Sequence, residues 1–304
     1  MNVIWNYLKG MAMGAADIVP GVSGGSIALL TGIYERLING IKSIGLDTIK
    51  TLKDEGIAGA WKQIDGNFLL TVLLGAATSI LIFARFIHFF LEEYPTPTWA
   101  FFLGLVLACV FHVGQLVDKW DAKHIALMLV GTVFVGGVSM ASATELAVTP
   151  VILFLSGALA ICAMILPGIS GSFIMLLLGV YGQIIAAIKG LDLAVLGIFA
   201  LGCIVGIMLF SRFLSWVLAH YRSMLMALLT GFMLGALIKV WPWKTVLSYR
   251  LNSKGQSVPF LDAPITPWQH PDPQLLASVL VFLIGFLGVM WLDNQAKKRI
   301  LSKK

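Results

Sequence analysis

The chain has 304 residues, 59% of them hydrophobic and 12% charged, with a net charge of +6 and a mean hydropathy of +0.92. A soluble domain carries about 25% charged residues, so a soluble globular class is excluded. The absence of short alternating strands excludes a membrane barrel. The cations sit mostly between apolar runs, where they set topology and meet anionic lipid rather than nucleic acid.

The start, "MNVIWNYLKGMAMGA", lacks the basic and long apolar regions of a signal peptide, so an unprocessed chain is expected. The first predicted element is a hairpin over residues 4–42, broken at "DIVPGVSGGS". Its first arm carries Lys9 and Asp17 and is too short to cross about 30 Å of hydrocarbon, so a re-entrant hairpin is expected. A polar loop over 43–66 follows, with a short amphipathic helix, then spans near 68–91, 97–117 and 124–141. A second hairpin is expected over 149–189, then spans near 192–218, 223–241 and 274–292, the last two separated by a long loop over 242–273.

The order of elements repeats. With Pro20 on Pro167, "IVPGVSGGSIALLTGIYERLINGIK" lies over "ILPGISGSFIMLLLGVYGQIIAAIK" with thirteen of twenty-five positions identical, Lys42 on Lys189 among them. At a shorter offset, "GAATSILIFARFIHFFLEEY" lies over "GCIVGIMLFSRFLSWVLAHY", which places Gly75 on Gly202, Arg85 on Arg212 and Tyr94 on Tyr221. Further on, Gly104 meets Gly231. The expected fold is therefore an all-α integral membrane protein of two repeats, residues 1–141 and 142–304, each a broken hairpin plus three spans. Three spans per half is odd, so the second half enters the membrane upside down. With both termini cytoplasmic, Arg36, Lys42, Lys50, Lys53, Lys62, Lys119, Lys123, Arg222 and the tail "KKRILSKK" face inward. The short outer loops "EEYPTP" and "SATELAVTP" have no Lys or Arg, and 242–273 becomes a periplasmic loop. Inverted repeats recur in secondary transporters, which bind substrate near the membrane midplane.

The breaks hold the chemistry. Pro20 and Pro167 stop a helix. Gly21, Gly24, Gly25, Gly168 and Gly171 allow close backbone approach, and Ser23, Ser26, Ser170 and Ser172 can cap the helix that follows. Each PGxSG thus presents free N–H groups and a positive helix end, which suits an anion. A pair of tight turns packed for structure alone is the plain alternative. Arg85 and Arg212 lie inside apolar helices. An Arg there is costly, and its planar fork suits phosphate, while snorkelling to the interface is the simpler reading. Asp17 and Glu35 have Met164 and Gly182 as repeat partners, so the acids are asymmetric. They could pair with an arginine, shape the site or carry a coupling ion, and Glu35 could instead mark the inner rim with Arg36. His88 reads as an interfacial histidine, and His112, His124, His220 and His270 lie near loops. Cys109, Cys162 and Cys203 read as small buried hydrophobes. No group has metal-ligand spacing, no cofactor is expected, and no Ser-His-Asp set or carboxylate pair marks an enzyme. A secondary transporter of a small soluble anion fits these residues as well as a lipid carrier does. Gly-rich faces such as "VGTVFVGGVSMA" could pack helices within one chain or in a homo-oligomer.

The run "GAADIVPGVSGGSIALLTGIYE" resembles the signature of a bacterial inner-membrane family, the polyprenyl-phosphate transporters of the PopT type, and "ILPGISGSFIMLLLGVYGQI" is similar to their second motif. The resemblance covers essentially the whole chain. It implies return of undecaprenyl phosphate from the outer to the inner leaflet of the cytoplasmic membrane, for reuse in envelope polymer synthesis. The second copy departs from the first in Gly171-Ser172 against Gly24-Gly25 and in lacking both acids, which implies unequal halves.

Overall fold

A computed structural model describes residues 3–19, 22–141, 148–251 and 257–301. The first half begins with α1 (Val3–Asp17), α2 (Gly24–Leu30) and α3 (Tyr34–Lys42). At about 1.5 Å per residue α1 is roughly 22 Å long, short of a bilayer's hydrocarbon. Next come α4 (Leu46–Gln63), α5 (Gly66–Glu93), α6 (Pro95–Gly114) and α7 (Ala122–Met140). The second half holds α8 (Pro150–Ile165), α9 (Gly171–Leu177), α10 (Tyr181–Gly190) and α11 (Leu193–Val240). After α11 come strands β1 (Lys244–Leu251) and β2 (Ser257–Pro264), a 3-10 turn at Pro267–Gln269, and α12 (Leu275–Leu301).

Five described helices, α5, α6, α7, α11 and α12, are long and apolar enough to cross a membrane. Helix α9 and α10 would do so together but for a bend of 108° between them. One expectation needs correction. The polar loop over 43–66 is mostly α4, an 18-residue helix interrupted at Gly56, where φ is 74°. The spans near 192–218 and 223–241 are the two arms of α11, whose 48 residues run without a gap through a kink between them. Its single non-helical residue is Tyr221 (φ −135°, ψ 37°). The repeat partner Tyr94 has nearly the same backbone (φ −133°, ψ 58°), but Pro95 follows it and starts a separate helix. Among the described residues the fold is all-helical but for one hairpin. Strands β1 and β2 pair antiparallel within 242–273, and the indoles of Trp241 and Trp243 tie this loop down by donating to the Ile265 and Pro273 carbonyls.

Packing follows the sequence repeat. A β-carbon at Gly75 would strike the Tyr7 carbonyl, and one at Gly202 the Phe154 carbonyl. Tyr7 and Phe154 are themselves aligned by the hairpin offset. Gly10 against Val72 and Gly157 against Phe199 repeat the relation in reverse. So α1 lies on α5 as α8 lies on α11, with small residues letting backbones touch. Across the halves, Gly104 of α6 meets the Phe282 carbonyl of α12, and Gly231 of α11 meets the Met128 carbonyl of α7. Each half therefore supplies one helix that packs on the last helix of the other. The main core lies between these layers and holds Val19, Ile33, Tyr34, Ile38, Phe68, Met226 and Met233.

Candidate functional site

The two breaks meet. Ser23 is the N-cap of α2 and its Oγ accepts from the Gly25 N–H at 3.1 Å. The same hydroxyl reaches the other half, with Oγ 3.1 Å from the Leu166 carbonyl oxygen and 3.3 Å from that of Met164. Gly25 packs on the Ile165 carbonyl so closely that a β-carbon would collide with it, and Pro167 lies just beyond. The start of α2 is thus pressed onto the carbonyl end of α8, a positive helix end facing a negative one.

The copies then diverge. Every residue of α2, Gly24 through Leu30, is buried, including Ser26. The Gly24 N–H donates to the Asp17 Oδ1 at 2.7 Å, so a carboxylate of the chain itself already engages this helix start. Pro20 and Gly21 lie outside the described residues. In the second copy Pro167, Gly168 and Gly171 are buried, Ser170 is half-buried and Ser172 is exposed. Gly168 has φ +82° and abuts the Phe232 carbonyl, so its place needs glycine. Ser170, the N-cap of α9, makes no side-chain cap; its hydroxyl lies 2.8 Å from that of Ser172. Met164 stands where Asp17 stands in the first copy. The second break therefore presents hydroxyls outward, while the first is filled and buried.

The remaining predicted residues are spread along the chain. Arg85 is exposed on α5 and makes no hydrogen bond or ion pair with a described residue. Arg212 is half-buried on α11, donating through Nη1 to the Met208 carbonyl at 2.7 Å and through Nη2 to that of Ile44 at 3.2 Å. Neither hydrogen bond reaches a PGxSG motif. Glu35 pairs with Arg222, one residue past the Tyr221 break, at 2.8 Å, while Arg36 forks onto Asp65. Among the described residues no His, Cys, Asp or Glu group could hold a metal ion.

Three polar groups escaped the sequence reading. On α11, Ser215 joins α3 by donating to Asn39 at 2.9 Å while accepting from the Lys42 ammonium at 3.1 Å. His112 of α6 and Asp293 of α12 are paired at 2.8 Å, the carboxylate almost wholly buried. Between α11 and α12, Asp262 of β2 lies 2.9 Å from the Lys239 Nζ and 3.3 Å from the Lys244 Nζ. Burial pushes the Lys244 ammonium down to about 8, with Asp262 opposing. Burial also acts against the Asp262 carboxylate, but Lys244 and Lys239 outweigh it and hold the group below its ordinary value. Lys239 and Asp262 are 23 residues apart in sequence and on different elements, so only the charged residues in a loop otherwise read as featureless could have signalled this cluster.

Broken helices meeting inside a bundle of apolar spans define a multi-pass α-helical membrane protein with non-helical backbone buried among its helices. The chain belongs to the VCA0040-like family, described as undecaprenyl phosphate translocase-like, whose model matches residues 13–258. It is 43% identical over 304 residues to a polyprenyl-phosphate transporter of Vibrio cholerae serotype O1, covering 98% of each chain. It is 31% identical over 300 residues to a polyprenyl-phosphate transporter of Staphylococcus aureus, covering 93% of each. No solved structure matches it.

Proposed function

We infer that this chain moves a polyprenyl phosphate, undecaprenyl phosphate in the bacterial cytoplasmic membrane, from the outer to the inner leaflet for reuse in envelope synthesis. The family and both relatives support the cargo. The carrying observation is the asymmetric meeting of the breaks: a buried, carboxylate-filled tip abuts an open tip that shows Ser170 and Ser172. The head group sits at the open tip, between the motifs, while the prenyl tail stays in lipid. Ser23, Gly24, Gly25 and Asp17 build the wall behind it. Arg85 and Arg212 serve the pathway's two ends rather than its centre. No covalent step is assigned.

The halves 1–141 and 142–304 are read as inverted copies with both termini cytoplasmic. The recurring Gly75–Tyr7 and Gly202–Phe154 contacts, and the exchanged pairs Gly104–Phe282 and Gly231–Met128, support a two-fold relation. The test is reconstitution in liposomes with leaflet-specific labelling of the lipid phosphate, with and without proton or sodium gradients. Protein-dependent loss of phosphate from the labelled leaflet is expected. Exchange no faster than in protein-free vesicles would end the reading.

A further inference from the structure

The group of Lys239, Lys244 and Asp262 is built as an anion site already occupied by one of the chain's own carboxylates. Lys239 lies in the last turn of α11, Lys244 begins β1, and Asp262 lies on β2 opposite Val246. The lysine side chains are only 16% and 11% exposed. Lys244 Nζ stands 3.7 Å over the Trp99 ring of α6 and also donates to the Lys239 carbonyl at 2.6 Å, so it is fixed independently of Asp262. Among the described residues two ammonium groups therefore converge on a single carboxylate, one more positive charge than negative. A phosphate monoester carries about −1.5 to −2 charges at pH 7 and offers three acceptor oxygens, which would neutralise both lysines where Asp262 neutralises one.

The surroundings suit an amphiphile. The three residues line a cleft of about 80 Å³ whose other walls include Ser139, Met140, Ile238 and Leu247. Met140 is 62% exposed and Leu247 65%, so the mouth of the cleft is apolar at the end of α7. A soluble anion has no use for such a mouth, whereas a lipid tail would lie along it. Lys239 Nζ also lies 5.3 Å from the ring of Phe173, the residue after Ser172 at the open break.

We propose that Lys239 and Lys244 form a reception site for the phosphate monoester head of a lipid, with Asp262 as a resident stand-in that the phosphate displaces. This rests on the transport reading above and adds to it where the head group first binds. Displacement breaks the Lys239–Asp262 link between α11 and β2, while Lys244 stays held against Trp99.

The test titrates the purified full chain in detergent with farnesyl phosphate, farnesol and inorganic phosphate, followed by calorimetry. Asp262→Asn is expected to tighten farnesyl phosphate about tenfold, and Lys239→Gln and Lys244→Gln to weaken it about tenfold, with farnesol unchanged throughout. Should Lys244→Gln fold poorly, Lys239→Gln and Asp262→Asn decide the matter, each checked by its melting curve. Unchanged affinity in both, or weaker binding in Asp262→Asn, overturns the site. Inorganic phosphate binding as tightly as farnesyl phosphate overturns its assignment to a lipid. Leaflet exchange measured on the same samples separates the two claims. Binding that responds as expected without exchange defeats the transport reading alone; exchange with parental binding in every variant defeats the reception site alone.

Discussion

The Ser23 hydroxyl and the Leu166 carbonyl oxygen lie 3.1 Å apart and join the two broken hairpins across 143 residues of chain. Replacing Ser23 with Ala leaves carbonyls at the end of α8 without that donor and removes the cap on Gly25, at a cost of about 1–3 kcal/mol. Gly25→Ala should be worse, because its β-carbon meets backbone at Ile165 rather than a side chain that can swing away. The expected order of melting temperatures is wild type, then Ser23→Ala, then Gly25→Ala. A stable, fully active Gly25→Ala protein would mean the tips stand apart.

Asp17 accepts from the Gly24 N–H at 2.7 Å. An amide oxygen can do the same without charge. Asp17→Asn should therefore fold like the parent, and Asp17→Ala should lower the melting temperature. The two variants also separate holding the hairpin from carrying an ion. If Asp17 only positions α2, Asn supports leaflet exchange near the parental rate. If it couples a proton or sodium, Asn folds but loses the response to an imposed gradient.

Much of this arrangement could be read from the residues, and the reasons for the rest are local. The PGxSG copies and the paired Gly75 and Gly202 were legible because helix breaks and backbone contacts need particular small residues at fixed spacing. The fate of the first helix start was not, since nothing in "DIVPGVSGG" says that Asp17 folds back onto Gly24 instead of meeting a ligand. Likewise Arg85 and Arg212 align in sequence yet differ in surroundings, because only Arg212 has the turn after α3 beside it. The β1–β2 pair was missed because a long loop between spans carries no apolar periodicity to reveal it.

That difference between the arginines makes a direct comparison useful. Arg85→Ala removes no hydrogen bond to a described residue, so its melting temperature should match the parent's. Arg212→Ala frees the Ile44 carbonyl from its donor and loosens the link between α11 and the end of α3, so a lower melting temperature is expected. Loss of leaflet exchange in folded Arg85→Ala would assign that side chain a part in the pathway. Parental exchange in both variants would remove the arginines from it.

Alkaline pH offers a check on the burial of Lys244. The Lys244 ammonium is held at about 8, below its ordinary 10.5, chiefly by burial. Between these values the unfolded chain binds the extra proton and the folded chain does not, so this group's contribution to stability rises with pH across that window. Below about pH 8 both states carry the proton, and the contribution is flat. Asp262 acts at the other end: held below its ordinary value, it adds stability above the carboxylate range and loses it as pH falls through its folded value. Lys244→Met removes the alkaline effect. The difference in melting temperature, wild type minus Lys244→Met, should therefore stay level from about pH 6 to 8 and climb towards pH 10. A difference that stays level to pH 10 would place the Lys244 ammonium in water rather than against Trp99.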